Sequence, residues 1–246
     1  MDFSITVGDV ADERGFWALA GFSSNNNEYV LELTNSIVKF SSQAFGLFSE
    51  FGGFCEGLEI AAAGIAIVNL PGDVISLVNQ ASGCAEAFAS SGVTSKEFLS
   101  ASANTLVSFG FFMLDLSMAS LFLIQTRVIS AVSSTFKLVA SCFYGLAVVK
   151  RIVDNVLVIS EGDKGKEGLP QFKKDLISAN YEKNWCLLVK NLSSLCFATA
   201  SIASIALGPA ANLALMVVGV SACGGDFLYK REMQHIVAET ALGKSL

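Results

Sequence analysis

The chain has 246 residues, of which 52% are apolar and only 15% charged, with a formal net charge of -6. Ordinary soluble domains carry about 25% charged residues, so the polar side chains cannot cover a monomer of this size and much of the surface must face lipid or other protein. The acidic balance excludes a nucleic-acid footprint, which requires a basic face.

Residues 1–27 form an acidic N-terminal segment, "MDFSITVGDVADERGFWALAGFSSNNN". It lacks a basic start followed by a continuous apolar run, so a cleaved secretory signal is not expected. The three prolines (Pro71, Pro170 and Pro209) and the scarcity of strand signals predict an all-α fold. The expected architecture is a helical bundle with long apolar helices and a C-terminal apolar helical hairpin, embedded in a membrane.

Residues 28–160 read as amphipathic and apolar helices. From Glu28 to Phe51, helical spacing puts Val30, Leu33, Ile37, Phe40, Phe45, Phe48 and Phe51 on one side and Glu28, Glu32, Lys39, Gln43 and Glu50 opposite. Membrane-surface helices favour Lys and Arg on the polar face. The acidic face here favours packing on a core or a partner helix over lying among lipid headgroups. The next apolar run, Ile60–Leu70, has 11 residues, too short for a span that needs about 20. Asn69, Pro71, Gly72 and Asp73 break it and predict a helix–turn–helix. The small residues Ala61, Ala62, Ala63 and Gly64 would let another helix come close.

"TSKEFL" at 94–99 carries a helix start, with Thr94 or Ser95 as cap and Glu97 three residues after Thr94. No proline follows until Pro170, which allows one very long helix or two joined near Gln125-Thr126-Arg127. The window Thr105–Gln125 holds eleven Leu, Ile, Val or Phe residues. Their insertion energy sums to about -5 kcal/mol, against roughly +3 for Asp115. Asp115 is therefore a candidate intramembrane polar residue, and Lys137 a second. Twenty-two residues separate them, roughly 33 Å along one helix, so they could pair only across a hairpin.

Residues 161–184, with ten charges in 24 residues, read as a hydrophilic connector. Its "GDKGKEG" lacks the G-x-x-x-x-G-K-[ST] spacing of a phosphate loop. Residues 185–246 read as an apolar hairpin followed by a basic-flanked helix. Between Lys190 and Asp226 lie 35 uncharged residues, divided by Gly208-Pro209. Trp185, Lys190, Tyr229, Lys230 and Arg231 supply interfacial anchors. Ala200, Ser204 and Gly208, and likewise Gly219 and Cys223, recur every four residues, a spacing that suits close helix packing.

Catalytic signals are absent. His235 is the single histidine and the six cysteines form no C-x-x-C pair. Neither a multi-histidine metal site nor a His-based triad is available, and no hydrolase or dinucleotide motif is present. The expectation is a protein that is not an enzyme, with no cofactor and no metal, whose partners are the lipid bilayer and other helices, including further copies of itself.

Residues 187–231 resemble the C-terminal region of the peroxin eleven family of membrane-elongating proteins. Val189-Lys190-Asn191 corresponds to its V-K/R-N type motif, and Val218-Gly219-Val220 through Arg231 to its Gly- and Ser-rich apolar segment ending in aromatic and basic residues. The likeness implies membrane remodelling by helix packing and self-association. The basic amphipathic helix of that family is missing, since Glu28–Phe51 carries one lysine. In organisation the chain is also similar to chlamydial inclusion-membrane proteins, which carry closely spaced apolar hairpins. Two other readings compete: a soluble helical bundle acting as a secreted effector, and a transporter or channel using Asp115, Arg127 and Lys137. A soluble bundle would need polar residues on the outer faces of the 105–149 and 191–225 helices.

Overall fold

The computed structural model describes residues 52–125, 127–128, 133–162, 168–203, 205 and 207–243. Among them 91% are helical and none is in a strand. The five helices are α1 (Gly52–Ser91), α2 (Lys96–Gln125), α3 (Ser134–Glu161), α4 (Gln171–Ile202) and α5 (Pro209–Gly243). The amphipathic stretch Glu28–Phe51 lies outside the described residues.

Local chemistry sets the helix ends. Gly92 takes a φ of 78°, a conformation open to glycine without a Cβ penalty, and its N–H bonds back to the Phe88 carbonyl at 3.1 Å, which closes α1. Ser95 caps α2, its Oγ accepting from the Phe98 N–H at 3.1 Å. Ser133 does the same for α3, accepting from Phe136 N–H at 3.1 Å. Each serine thereby satisfies one of the otherwise unpartnered donors of a first helical turn. Pro209 opens α5, where its missing N–H costs nothing and its fixed φ suits the helix. The chain thus breaks after Gln125 and again at Gly208-Pro209, two of the positions expected from sequence.

Two expectations fail. The predicted turn at 69–73 does not form, because α1 runs unbroken through Pro71. An interior proline costs about 3 kcal/mol through its lost donor and its clash with the preceding turn. Contacts with α2 flank the proline: Asn69 Nδ2 donates to Asp115 Oδ2 at 3.4 Å and the Ser76 and Ser108 hydroxyls meet at 3.3 Å. The connector expected at 161–184 is also too long, since α4 begins at Gln171. Its first turns are charged yet place Leu176, Ile177, Ala179 and Asn180 in the interior, a tertiary choice that charge counting does not register.

The described residues fall into two units, one of residues 52–151 with 192–216 and one of residues 152–191 with 217–243. In the first, α1 and α2 form an antiparallel hairpin. Asn69 meets Asp115, Ser76 meets Ser108, Thr105 Oγ1 donates to the Gln80 carbonyl at 3.0 Å, and Cys84 meets Ser102 at 3.3 Å. The Phe88 and Phe98 rings pack 5.8 Å apart beside the turn. In the same unit α3 packs on α2 through the Phe109–Phe143 edge contact at 4.8 Å, and on α4 through Ser141 and Ser201, 3.1 Å apart.

In the second unit Leu176, Ile177 and Ala179 of α4 pack with Met233 and Val237 of α5, joined by Leu169, Phe172 and Ile236. Here α4 and α5 touch closely: a Cβ built on Gly225 would lie 2.6 Å from Cys186 Sγ. Gly162 likewise leaves room for the Tyr181 ring.

Candidate membrane-facing and helix-packing site

Among the described residues three helices are long and apolar enough to cross a bilayer: Lys96–Ile124 with 29 residues, Gln171–Ile202 with 32 and Ala210–Thr240 with 31. At 1.5 Å per residue each exceeds a hydrocarbon core of about 30 Å. The all-α expectation is met, and these segments suit a membrane by length and composition.

The helices turn many large apolar side chains outward and enclose several polar ones beside an apolar core. Large apolar side chains stand outward: Val68 is 70% exposed, Ile75 62%, Leu146 53% and Leu228 64%, joined by Val74, Val78, Leu138, Val149, Leu192 and Leu213. Polar side chains stand inward, among them Asp115, Asn155, Asn180, Lys183, Asn184, Asn191, Ser193, Ser194, Asn212 and Asp226. Water as solvent disfavours so many outward aliphatic side chains, because burying apolar surface is the main driving force for folding there. Hydrocarbon as solvent removes that force and makes an outward polar group costly.

Many of the inward polar groups have partners. Asp115, 4% exposed, receives the Asn69 amide. In the second unit, Asn191 Nδ2 donates to Asn155 Oδ1 at 2.9 Å, Asn155 Nδ2 to Asn184 Oδ1 at 2.9 Å, and Asn184 Nδ2 to the Asn180 carbonyl at 2.7 Å. This ladder of four carboxamides ties α3 to α4. On α5, Lys230 Nζ lies 2.9 Å from Asp226 Oδ2, with both side chains nearly enclosed. Arg151 lies over the Phe111 ring, its Cζ 4.0 Å from the centroid, and the Phe111 edge meets Tyr144 at 5.6 Å. Among the described residues no group of three metal-ligating side chains occurs.

The residues singled out from sequence are placed as follows. Phe40, Phe45, Phe48, Phe51 and Ser204 lie outside the described residues. Asp115 is buried between α1 and α2, whereas Lys137 is exposed in the first turn of α3, and the two do not pair. Ala200 is half-buried near the end of α4, and Gly219 and Cys223 are buried on α5. Gly208 is not a packing position. It lies exposed between α4 and α5, and a Cβ there would meet nothing within 4 Å. With Pro209 it separates the helices, while close approach is made elsewhere, at Gly110 and Gly225.

Sequence reasoning missed the asparagines. Three of them on α4, at 180, 184 and 191, stand at the i, i+4 and i+11 offsets that align one helix face, and Asn155 on α3 meets them. That signal was present but is overshadowed by the neighbouring lysines. Asn212 was missed too. Fully buried, it donates through Nδ2 to the Leu207 carbonyl at 2.9 Å and so fastens the Gly208-Pro209 turn to α5. Comparison of the chain with protein-family models, with curated proteins and with solved structures gives no match.

Proposed function

We propose that this chain is a membrane-embedded helical protein that organises or remodels a bilayer through helix packing and self-association, without turning over a substrate. The observation that carries the reading is the set of valines, leucines and isoleucines turned outward, together with an asparagine ladder turned inward. The three spans of sufficient length support it. Helix association in lipid rests on close packing and interhelical hydrogen bonds, because apolar surface gains nothing by leaving hydrocarbon. Both kinds of contact recur here, at Gly110 and Gly225 and along the asparagines. The resemblance of residues 187–231 to membrane-elongating proteins points to the same class of activity.

Alkaline carbonate extraction of the expressed chain tests the proposal. Retention in the pellet with release only by detergent is the expected result. A monodisperse species in the supernatant would refute it and return the chain to the soluble effector reading.

A further inference from the structure

Helix α3 is not among the segments whose composition suits a bilayer, since Lys137, Lys150, Arg151 and Asp154 interrupt it. Its surroundings in the first unit say otherwise. The midpoint of the α2 span Lys96–Ile124 is Gly110. A Cβ built there would fall 2.6 Å from Ala147 Cβ and 2.6 Å from the Phe143 carbonyl oxygen. Ala147 is itself at the middle of α3, which has 28 residues, about 42 Å of helix. The two helices therefore touch centre to centre, at backbone distance. If α2 crosses a core of about 30 Å, the centre of α3 sits about 15 Å from either face, where a helix lying on the surface cannot reach.

Contacts with α4 agree. Ser141 meets Ser201, and a Cβ on Gly145 would touch Ala198 at 3.8 Å and Ile202 at 3.7 Å. Further along α3 the partners fall to Asn191 and Asn184 at Asn155, so α3 runs antiparallel to another candidate span. The charges that disqualify α3 by composition are accommodated by the fold. Arg151 turns inward over Phe111, which exchanges hydration for a ring face, and Lys137 lies in the first turn, within snorkelling reach of an interface. What α3 turns outward in this unit is Leu138, Val139, Leu146 and Val149.

We infer that α3 is a further membrane crossing, placed between the crossings of α2 and α4, and that its outward stripe is occupied by lipid acyl chains. The inference rests on the membrane reading above and adds a crossing to it. It fixes a parity. With α3 across the bilayer, the α2–α3 and α4–α5 connections lie on one face and the α3–α4 connection on the other. With α3 outside, the α2–α3 and α3–α4 connections share a face opposite the α4–α5 connection.

Single reporter cysteines, Val128→Cys, Glu161→Cys and Ile205→Cys, can be placed in a chain whose six native cysteines are replaced by alanine. A membrane-impermeant maleimide is then applied to sealed vesicles before and after detergent. The expected result is one labelling behaviour shared by positions 128 and 205 and the opposite behaviour at 161. Positions 128 and 161 behaving alike, with 205 opposite, would overturn the crossing while leaving the membrane reading intact. Loss of the native chain from carbonate-washed membranes would overturn both. Should the alanine background fail to assemble, short epitope insertions after the same three residues in the native-cysteine chain read the same parity. Efficient disulfide dimers through Leu146→Cys would put a second copy on the stripe and overturn the lipid assignment.

Discussion

The two units bury different things. In the unit of residues 52–151 and 192–216 the interior apolar residues are mostly alanines (Ala63, Ala66, Ala119, Ala140, Ala147 and Ala198), with backbones brought together at Gly110. In the unit of residues 152–191 and 217–243 they include Leu176, Ile177, Leu187, Val158, Met233 and Val237. Large aliphatics inside are the solution favoured where water is the solvent. Small residues inside, with large ones outside, are the solution favoured in hydrocarbon, where packing distance and hydrogen bonds hold helices together. One chain uses both, with the asparagine ladder lying in the unit that also holds the larger aliphatic side chains.

That contrast can be broken by substitution. The largest effect is expected at Leu176→Ala, because Leu176 is 1% exposed in the leucine-packed cluster and such truncations cost about 2–5 kcal/mol. Thermal unfolding of detergent-solubilised protein would register it, and a cost below about 1 kcal/mol would mean the cluster is not a water-driven core. Next comes Leu146→Asp in the alanine-packed unit. A carboxylate facing mid-bilayer lipid costs about 2.5–3.5 kcal/mol, seen as a reduced carbonate-resistant fraction. In water the same exposed change stays within about 0.5 kcal/mol.

Two glycine substitutions sharpen the comparison. Gly110→Ala drives a methyl into the Phe143 backbone and Ala147, so overpacking of about 1–3 kcal/mol is expected. Gly225→Ala meets only the Cys186 side chain, which can turn aside, and should cost less than Gly110→Ala in the same unfolding experiment. Asn155→Ala removes the middle of the ladder and leaves the Asn184 and Asn191 amides short of a partner. A loss of about 1–2 kcal/mol follows, and an unchanged midpoint would show that the ladder is replaceable. The smallest effect is expected at Asp115→Asn. The amide keeps an oxygen for Asn69, so stability and membrane retention should change by less than about 1 kcal/mol. Loss of membrane retention would show that the carboxylate charge itself is required.

Much of the helical layout was legible in the residues. Gly208-Pro209, Gln125-Thr126-Arg127 and the Ser95 cap mark helix ends through backbone chemistry that acts within a few residues. Pro71 misled for the same reason, since its local penalty is real but α1 runs through it in contact with α2, as where Asn69 meets Asp115 46 residues on. The start of α4 misled because charged residues there cover one face while Phe172, Leu176 and Ile177 cover another. Asp115 was legible as a polar residue in an apolar helix. Its partner Asn69 was not, because pairing depends on the hairpin register.

Composition alone determined that this chain is helical and that its surface cannot be predominantly charged, because both follow from residue counts and short-range propensity. Tertiary structure decided which way each helix faces. Helices apolar nearly all round carry little periodicity to read, so whether Asn155 or Leu146 points inward depends on which neighbouring helix can hydrogen-bond the one and which solvent accepts the other.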